Sequence, residues 1–73
     1  MTPMLAIIRN GEPHVLYGPG AKFAAEADGI ITLRPVGDHA VSVRVPRRAT
    51  TLRMQGGETL TLTVAAGDII ELV

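Results

Sequence analysis

Turn-forming residues recur along this chain so closely that no segment between them is long enough for an ordinary α-helix. Most are glycine, proline, asparagine or aspartate, and the clusters lie at residues 10–11, 18–20, 28–29, 37–38, 46–47, 55–57 and 66–68. Short segments separated by turns at roughly 8–10 residue intervals are typical of β-sandwiches and barrels. The sequence therefore predicts an all-β fold, a small antiparallel β-sandwich or barrel of about seven short strands.

Apolar and polar residues alternate within these segments, as they do in strands that bury one face. Residues 58–64 are the clearest case, since the two leucines and Val64 fall on one face and Thr59, Thr61 and Thr63 on the other. The high β-propensity of threonine explains that row without a special role. The predicted strands are residues 5–9, 12–17, 30–33, 39–45, 50–54, 58–64 and 69–73.

The sequence also indicates how the first two strands are connected and placed. Asn10 and Gly11 readily adopt the positive φ angles that a type I′ turn requires, so the strands on either side are predicted to form a hairpin. Pro13 cannot donate a backbone hydrogen bond, and proline within a strand is typical of a sheet edge. The second strand is therefore predicted to lie at an edge.

Two segments leave alternatives open. The alanine and glutamate content of residues 21–27 favours a short helix, whereas alternation of Lys22, Ala24 and Glu26 with apolar neighbours favours a strand. A strand is preferred because residues 30–33 follow at hairpin distance. Residues 69–73 are apolar enough that we expect this strand to be paired and covered, and another subunit is one candidate for that cover.

The size of the chain limits how it can be stabilised. Its 73 residues predict a single β domain spanning 1–73, and a domain of this size buries only about 60–65% of its unfolded surface. Disulfides, structural metals or oligomerisation usually compensate. The chain has no cysteine, which removes disulfides and the commonest zinc sites. Oligomerisation is the remaining means, so a homo-oligomer is predicted.

Charge and hydropathy restrict the partners. Seven basic and seven acidic residues give a formal net charge of zero, which argues against nucleic acid or an anionic membrane as the main partner. No apolar run reaches the length of a membrane span, and residues 1–4 lack the pattern of a signal peptide. These features predict a protein made inside the cell, which stays cytoplasmic unless it belongs to a virion.

No combination of residues in the sequence supports catalysis. Ser42 is the only serine and lies mid-strand among valines, and most of the acidic residues fall in turns. Residues 18–22 lack the spacing of a phosphate-binding loop. His14 and His39 lie in different segments without metal-ligand spacing, and a half-exposed strand position is favoured for each over a pH switch. The sequence therefore predicts no enzyme, no metal site and no cofactor.

The strongest local signal for a binding site is a group of arginines, Arg44, Arg47, Arg48 and Arg53. Pro46 is expected to bend the chain between Arg44 and Arg47, and a hairpin-like return would bring Arg53 near them. Guanidinium groups pair bidentately with carboxylates and phosphates, so the group could grip a partner protein or nucleic acid. Arginines that protect a strand end from aggregation are the alternative. With zero net charge, a protein carboxylate is the favoured partner.

The C-terminal stretch Gly57-Glu-Thr-Leu-Thr-Leu-Thr-Val-Ala-Ala-Gly-Asp-Ile-Ile-Glu-Leu-Val73 resembles small tailed-phage virion proteins of the head spike-base and decoration type. In that group a threonine-rich strand and a Val-x-Ala-Gly turn lead to an apolar last strand. The resemblance extends loosely over residues 28–73 and includes no invariant motif, and the chain lacks the threonine-rich tail of spike-base members. It implies a symmetric, non-enzymatic part of a capsid or tail.

Three functions therefore compete. The leading hypothesis is an oligomeric assembly module, an accessory virion protein that contacts copies of itself and a larger assembly such as a capsid. The second is a small β-barrel binding module that recognises nucleic acid or a peptide through the arginines; single-strand binders need aromatic stacking platforms, and only Tyr17 and Phe23 are aromatic. The third is a regulator that adds a strand to the sheet edge of its target.

Overall fold

The computed structural model describes residues 4–45 and 49–73, and over these ranges the chain forms eight strands and no helix. They form two four-stranded antiparallel sheets, which confirms the predicted all-β sandwich. The strands are β1 (Met4–Arg9), β2 (Glu12–Tyr17), β3 (Lys22–Ala24), β4 (Gly29–Pro35), β5 (Val41–Val45), β6 (Thr50–Met54), β7 (Leu60–Val64) and β8 (Ile69–Leu72).

The chain passes repeatedly from one sheet to the other. The first sheet has the order β2-β1-β4-β7 and the second has the order β3-β8-β5-β6. The hairpins β1–β2 and β5–β6 each stay within one sheet, whereas the other connections between successive strands cross the sandwich. Strands that lie far apart in the sequence therefore become neighbours in space.

The β1–β2 hairpin is built as predicted. Asn10 and Gly11 have φ angles of 51° and 79°, so both residues of the turn lie in the left-handed region that a type I′ turn requires. In the strand register, Arg9 lies directly opposite Glu12 across the turn. Pro13 lies on β2 at the edge of the first sheet, where its missing N–H removes no hydrogen bond from the interior of the sheet.

The third strand corrects the predicted pairing. A strand does form in the 21–27 segment, but it is short and pairs with β8, not with β4 as hairpin distance suggested; Phe23 lies opposite Ile70. The following residues are held to the β7–β8 turn because Ala25 N–H donates to Asp68 O at 2.8 Å and Gly67 N–H donates to Ala25 O at 2.8 Å. The chain therefore crosses to the first sheet instead of turning back.

The inner faces of both sheets contribute to one aliphatic core. β8 lies between β3 and β5, and its side chains Ile70 and Leu72 have no solvent exposure. The chain itself therefore supplies the expected pairing of the last strand and the cover of Ile70 and Leu72, whereas Ile69 and Val73 remain exposed. The buried apolar residues are Leu5, Ile7, Leu16, Ala25, Ile31, Leu33, Val41, Val43, Val45, Met54, Val64, Ile70 and Leu72.

The β7–β8 turn contains a buried carboxylate that organises its backbone. Asp68 is 2% exposed. Its Oδ2 accepts a hydrogen bond from Ala65 N–H at 2.9 Å, and its own N–H donates to Ala65 O at 3.0 Å. Asp28 Oδ1 accepts from Ala66 N–H at 2.8 Å, which fixes the β3–β4 crossover to the same turn.

We predict that Asp68→Ala lowers the free energy of unfolding by about 1–3 kcal/mol, because the Ala65 N–H then loses its acceptor. Urea unfolding followed by circular dichroism measures the change. The control is Asp38→Ala, whose side chain is exposed and whose loss should change stability by less than about 0.5 kcal/mol. Equal stability of the two variants would contradict a structural role for Asp68.

The β6–β7 and β4–β5 loops approach each other at Gly56. A Cβ atom at this position would lie 2.6 Å from the Asp38 carbonyl carbon and 2.8 Å from Gly37 O, which are backbone atoms and cannot rotate away. Glycine is required here by close approach, and the contact fixes the start of β7 relative to the end of β4.

Gly56→Ala is expected to lower the free energy of unfolding by about 1–3 kcal/mol through overpacking. Gly29→Ala is the matched control, since a Cβ there meets only the Arg9 side chain, at 3.5 Å. The melting temperatures of the two variants, measured by thermal unfolding, show whether Gly56→Ala is the more destabilising. A Gly56→Ala protein that melts like the control would show that the loops can separate without loss.

Candidate interaction surfaces

The outward-facing residues of the second sheet form a charged surface, which we call the charged face. The strand registers align Lys22, Glu71, Arg44 and Thr51 in one row across the sheet. Glu71 Oε1 lies 3.6 Å from Arg44 Nη1, and the two side chains are 21% and 50% exposed. Such an exposed pair contributes little to stability. The charged face comprises Lys22, Ala24, Ser42, Arg44, Thr51, Arg53, Ile69 and Glu71, of which Ile69 is its one exposed large apolar side chain among the described residues.

The structure brings together the two predicted arginines that it describes. Ser42 pairs with Arg53 and Arg44 pairs with Thr51, so Arg44 and Arg53 occupy diagonal positions on the charged face. Diagonal neighbours are about 7–8 Å apart, within reach of long side chains. Arg47 and Arg48 lie outside the described residues. Sequence reasoning missed Glu71, whose place beside Arg44 depends on the β5–β8 pairing.

The outward-facing side of the first sheet is very different, and we call it the neutral face. It exposes large apolar side chains, of which Tyr17 is 68% and Ile30 is 62% exposed. Arg34 is its only charged member among the described residues. The neutral face comprises Met4, Ala6, Ile8, Pro13, Val15, Tyr17, Ile30, Thr32, Arg34, Thr61 and Thr63.

This composition is unusual for a sheet face in contact with water. Antiparallel sheets with one solvated side ordinarily present polar residues there, and contiguous apolar patches on soluble proteins mark interaction sites. The registers bring Val15, Ala6 and Arg34 into one row, and Pro13, Ile8 and Thr32 into the next. Residues from three strands therefore form a continuous surface that no single stretch of sequence shows.

A groove of about 410 Å³ indents the neutral face beside the β4–β5 loop. Ala6, Ile8 and Pro13 form its apolar side, while Arg34 and Asp38 lie at its polar side. The groove gives the neutral face a concave region with a cation and an anion at its border. A partner surface with an apolar projection and polar margins would match it.

A second groove, of about 360 Å³, lies near the β1–β2 turn and β3. It is lined by Glu12, His14, Phe23 and Glu26, among others, and the His14 ring lies 5.5 Å from the Phe23 ring at 52°. Arg9 Nη2 donates to Ala27 O at 3.1 Å and so ties β1 to the β3–β4 connection at this end. His39 is exposed in the loop before β5, so the two histidines do not form a common site.

The chemistry of this second groove matches no reaction that we can assign. It brings a histidine close to carboxylates, but its lining includes no serine, threonine or cysteine, and nucleophilic catalysis by those groups needs one beside a base. In the part of the chain that the structure describes, no group of three or more His, Cys, Asp or Glu residues could hold a metal ion. The neutral face is the better candidate site.

Among residues 4–45 and 49–73 there is no helix long and apolar enough to cross a membrane. Comparison with known proteins finds no matching family model, no matching curated protein and no matching solved structure.

Proposed function

We propose that this protein is a non-enzymatic assembly module that associates with copies of itself and with a larger protein particle. The observation that supports this best is the neutral face, where Tyr17, Ile30 and Val15 are exposed and Arg34 is the one charged residue among those described. Removing apolar surface from water is favourable by about 25 cal/mol per Å², from which the costs of association are subtracted. A face with one charge requires little desolvation of ions when it is covered.

Arg34 gives this apolar surface a means of fixing orientation. It lies opposite Ala6 in the register and contributes to the groove that Asp38 borders. A guanidinium can form two parallel hydrogen bonds to a carboxylate, which adds geometric specificity. A partner could dock on an apolar surface in several positions that bury similar areas. One such contact would favour the single position in which the carboxylate reaches Arg34.

The proposed setting is a virion, in which the protein would act as a capsid decoration or as the base of a head spike or fibre. This part of the proposal rests on the resemblance of residues 57–73 to small tailed-phage virion proteins. That stretch forms β7, the Asp68 turn and β8. Symmetric particles are built from repeated subunits, and a small sandwich with an apolar face suits such packing. Outside a virion, the protein would be cytoplasmic.

We predict that the double variant Val15→Lys/Ile30→Lys weakens self-association through the neutral face at least roughly tenfold, the equivalent of about 1.4 kcal/mol. Both side chains are exposed, so the fold should survive. The control, Thr51→Lys, adds a positive charge to the charged face. Sedimentation velocity over a range of concentrations measures the mass, and a wild-type protein that stays monomeric at the highest concentrations would overturn the proposal.

The charged face supports a second candidate, a module that binds an anionic partner. Lys22, Arg44 and Arg53 share this face with the single carboxylate Glu71, so among the described residues it has excess positive charge. Neither described aromatic residue belongs to it, because Tyr17 lies on the neutral face and Phe23 packs against the core. Without stacking platforms, acidic groups of a protein are a better match than single-stranded nucleic acid.

We expect no shift of a labelled single-stranded oligonucleotide at about 50 mM salt, a condition that favours electrostatic binding. An electrophoretic or fluorescence-anisotropy titration tests this. The variant Arg44→Ala/Arg53→Ala serves as the comparison. Salt-dependent binding by the wild-type protein that this variant loses would make nucleic-acid recognition the preferred function.

A further inference from the structure

Strand β7 forms an edge of the first sheet that lacks the features that normally protect edges. It pairs with β4 alone among the described strands. Residues 59–66 contain no charged residue and no proline, whereas the edge strand β2 contains Glu12 and Pro13. The remaining edges, β3 and β6, carry Lys22 and Arg53. Charges and proline are the usual means by which proteins prevent edge pairing.

The register shows which backbone groups face away from the sheet. Val36 N–H donates to Met4 O at 3.0 Å, so the even-numbered residues of β4 direct their backbone groups to β1. The direction of the backbone N–H and C=O groups alternates along a strand. The odd-numbered residues of β4 therefore direct their backbone groups to β7, where Ile31 lies opposite Leu62. Leu62 therefore uses its backbone groups within the sheet, and those of Thr61 point to the open side.

The side chains of β7 show a matching lack of cover. Leu60 and Leu62 point towards the core, but they remain only half-buried at the edge while Val64 is buried. A further strand beside β7 would cover them. Its own inward residues would need to be apolar, and the residues beside Thr61 would need to be uncharged.

The chain itself has such a strand. Residues 59–63 read Thr-Leu-Thr-Leu-Thr, which is the same in both directions around Thr61. In an antiparallel pair of two copies centred there, Thr61 lies opposite Thr61 and Leu60 lies opposite Leu62 of the other copy. Cβ atoms of directly opposed residues are about 4.5–5.5 Å apart, so the leucines would contact each other. Glu58 would face Val64, so no like charges meet.

From these observations we infer that two copies pair through β7, antiparallel and centred on Thr61, to form one continuous eight-stranded sheet. The inference adds a second contact, separate from the one through the neutral face, to the proposed self-association and rests on it. The two Thr61 residues exchange N–H···O=C hydrogen bonds, and Leu60 and Leu62 of each copy complete the cover of the other.

The area of the neutral face gives an independent reason for this pairing. Four strands spaced about 4.8 Å apart and about 20 Å long have a planar footprint of roughly 400 Å². Stable interfaces of standard size bury about 800 Å² of accessible surface on each partner. Two neutral faces joined edge to edge on the same side double the footprint that one copy offers to a larger particle.

A disulfide cross-link tests the pairing directly, because the chain has no native cysteine. Opposed Thr61 Cα atoms would be about 5.5 Å apart, within the range of about 4.4–6.8 Å that a disulfide spans. Under mild oxidation, Thr61→Cys should form a linked dimer about 100-fold faster than Thr51→Cys, an exposed threonine on the edge strand β6, because paired sites act at an effective concentration in the millimolar range.

Thr59→Cys is the control for register. In the proposed pairing Thr59 faces Thr63, and two copies of residue 59 are about 14 Å apart along the strands, too far for a disulfide. Thr59→Cys should therefore link no faster than Thr51→Cys. Circular dichroism confirms that each exposed-site variant is folded.

Each outcome of the cross-linking decides the matter. Fast linking of Thr61→Cys alone supports the pairing. Slow linking of Thr61→Cys in a protein that sedimentation shows to be oligomeric overturns the β7 pairing but leaves self-association intact. Fast linking of Thr59→Cys instead overturns the Thr61-centred register. A monomeric wild-type protein overturns both the pairing and the proposed function.

Discussion

The packing of two aliphatic sheet faces against each other is the interaction on which the rest of this structure depends. Every strand except β3 buries at least one apolar side chain in that layer, and the fully buried ones include Leu5, Ile31, Val43 and Leu72. Tyr17 lies outside the core and Phe23 only partly against it. Branched aliphatic side chains on pleated strands therefore supply the buried area that aromatic residues often provide.

Because residues alternate along a strand, burying one face of each sheet also determines what the opposite face presents. In the second sheet the outward positions carry Lys22, Arg44 and Glu71, while in the first they carry Ile8, Ile30 and the threonines. Both faces thus follow from one packing constraint but differ in their chemistry. The difference gives the molecule one side rich in charges and one side that is largely apolar and uncharged.

Local patterns in the sequence were sufficient to predict much of the fold. The turn at Asn10-Gly11, the edge position of Pro13 and the inward leucines of residues 58–64 each depend on neighbours within a few residues. The partner of β3 could not be predicted in this way, because it depends on hydrogen bonds between Ala25 and the distant turn at Asp68. Pairings between strands far apart in sequence leave no local signal.

The same limit explains why the candidate site differs from the one that the sequence suggested. The arginines near Pro46 stand out because they are close in sequence, whereas Val15, Ile8 and Ile30 become neighbours only through the order β2-β1-β4. Antiparallel pairing of two identical edges places its twofold axis perpendicular to the sheet, since the backbone hydrogen bonds of opposed residues are reciprocal. Such a pair keeps both neutral faces on one side and both charged faces on the other. Edge pairing would therefore keep the two kinds of face on opposite sides and double the area of each. The paired protein would then present a single apolar surface to a larger particle, in one orientation.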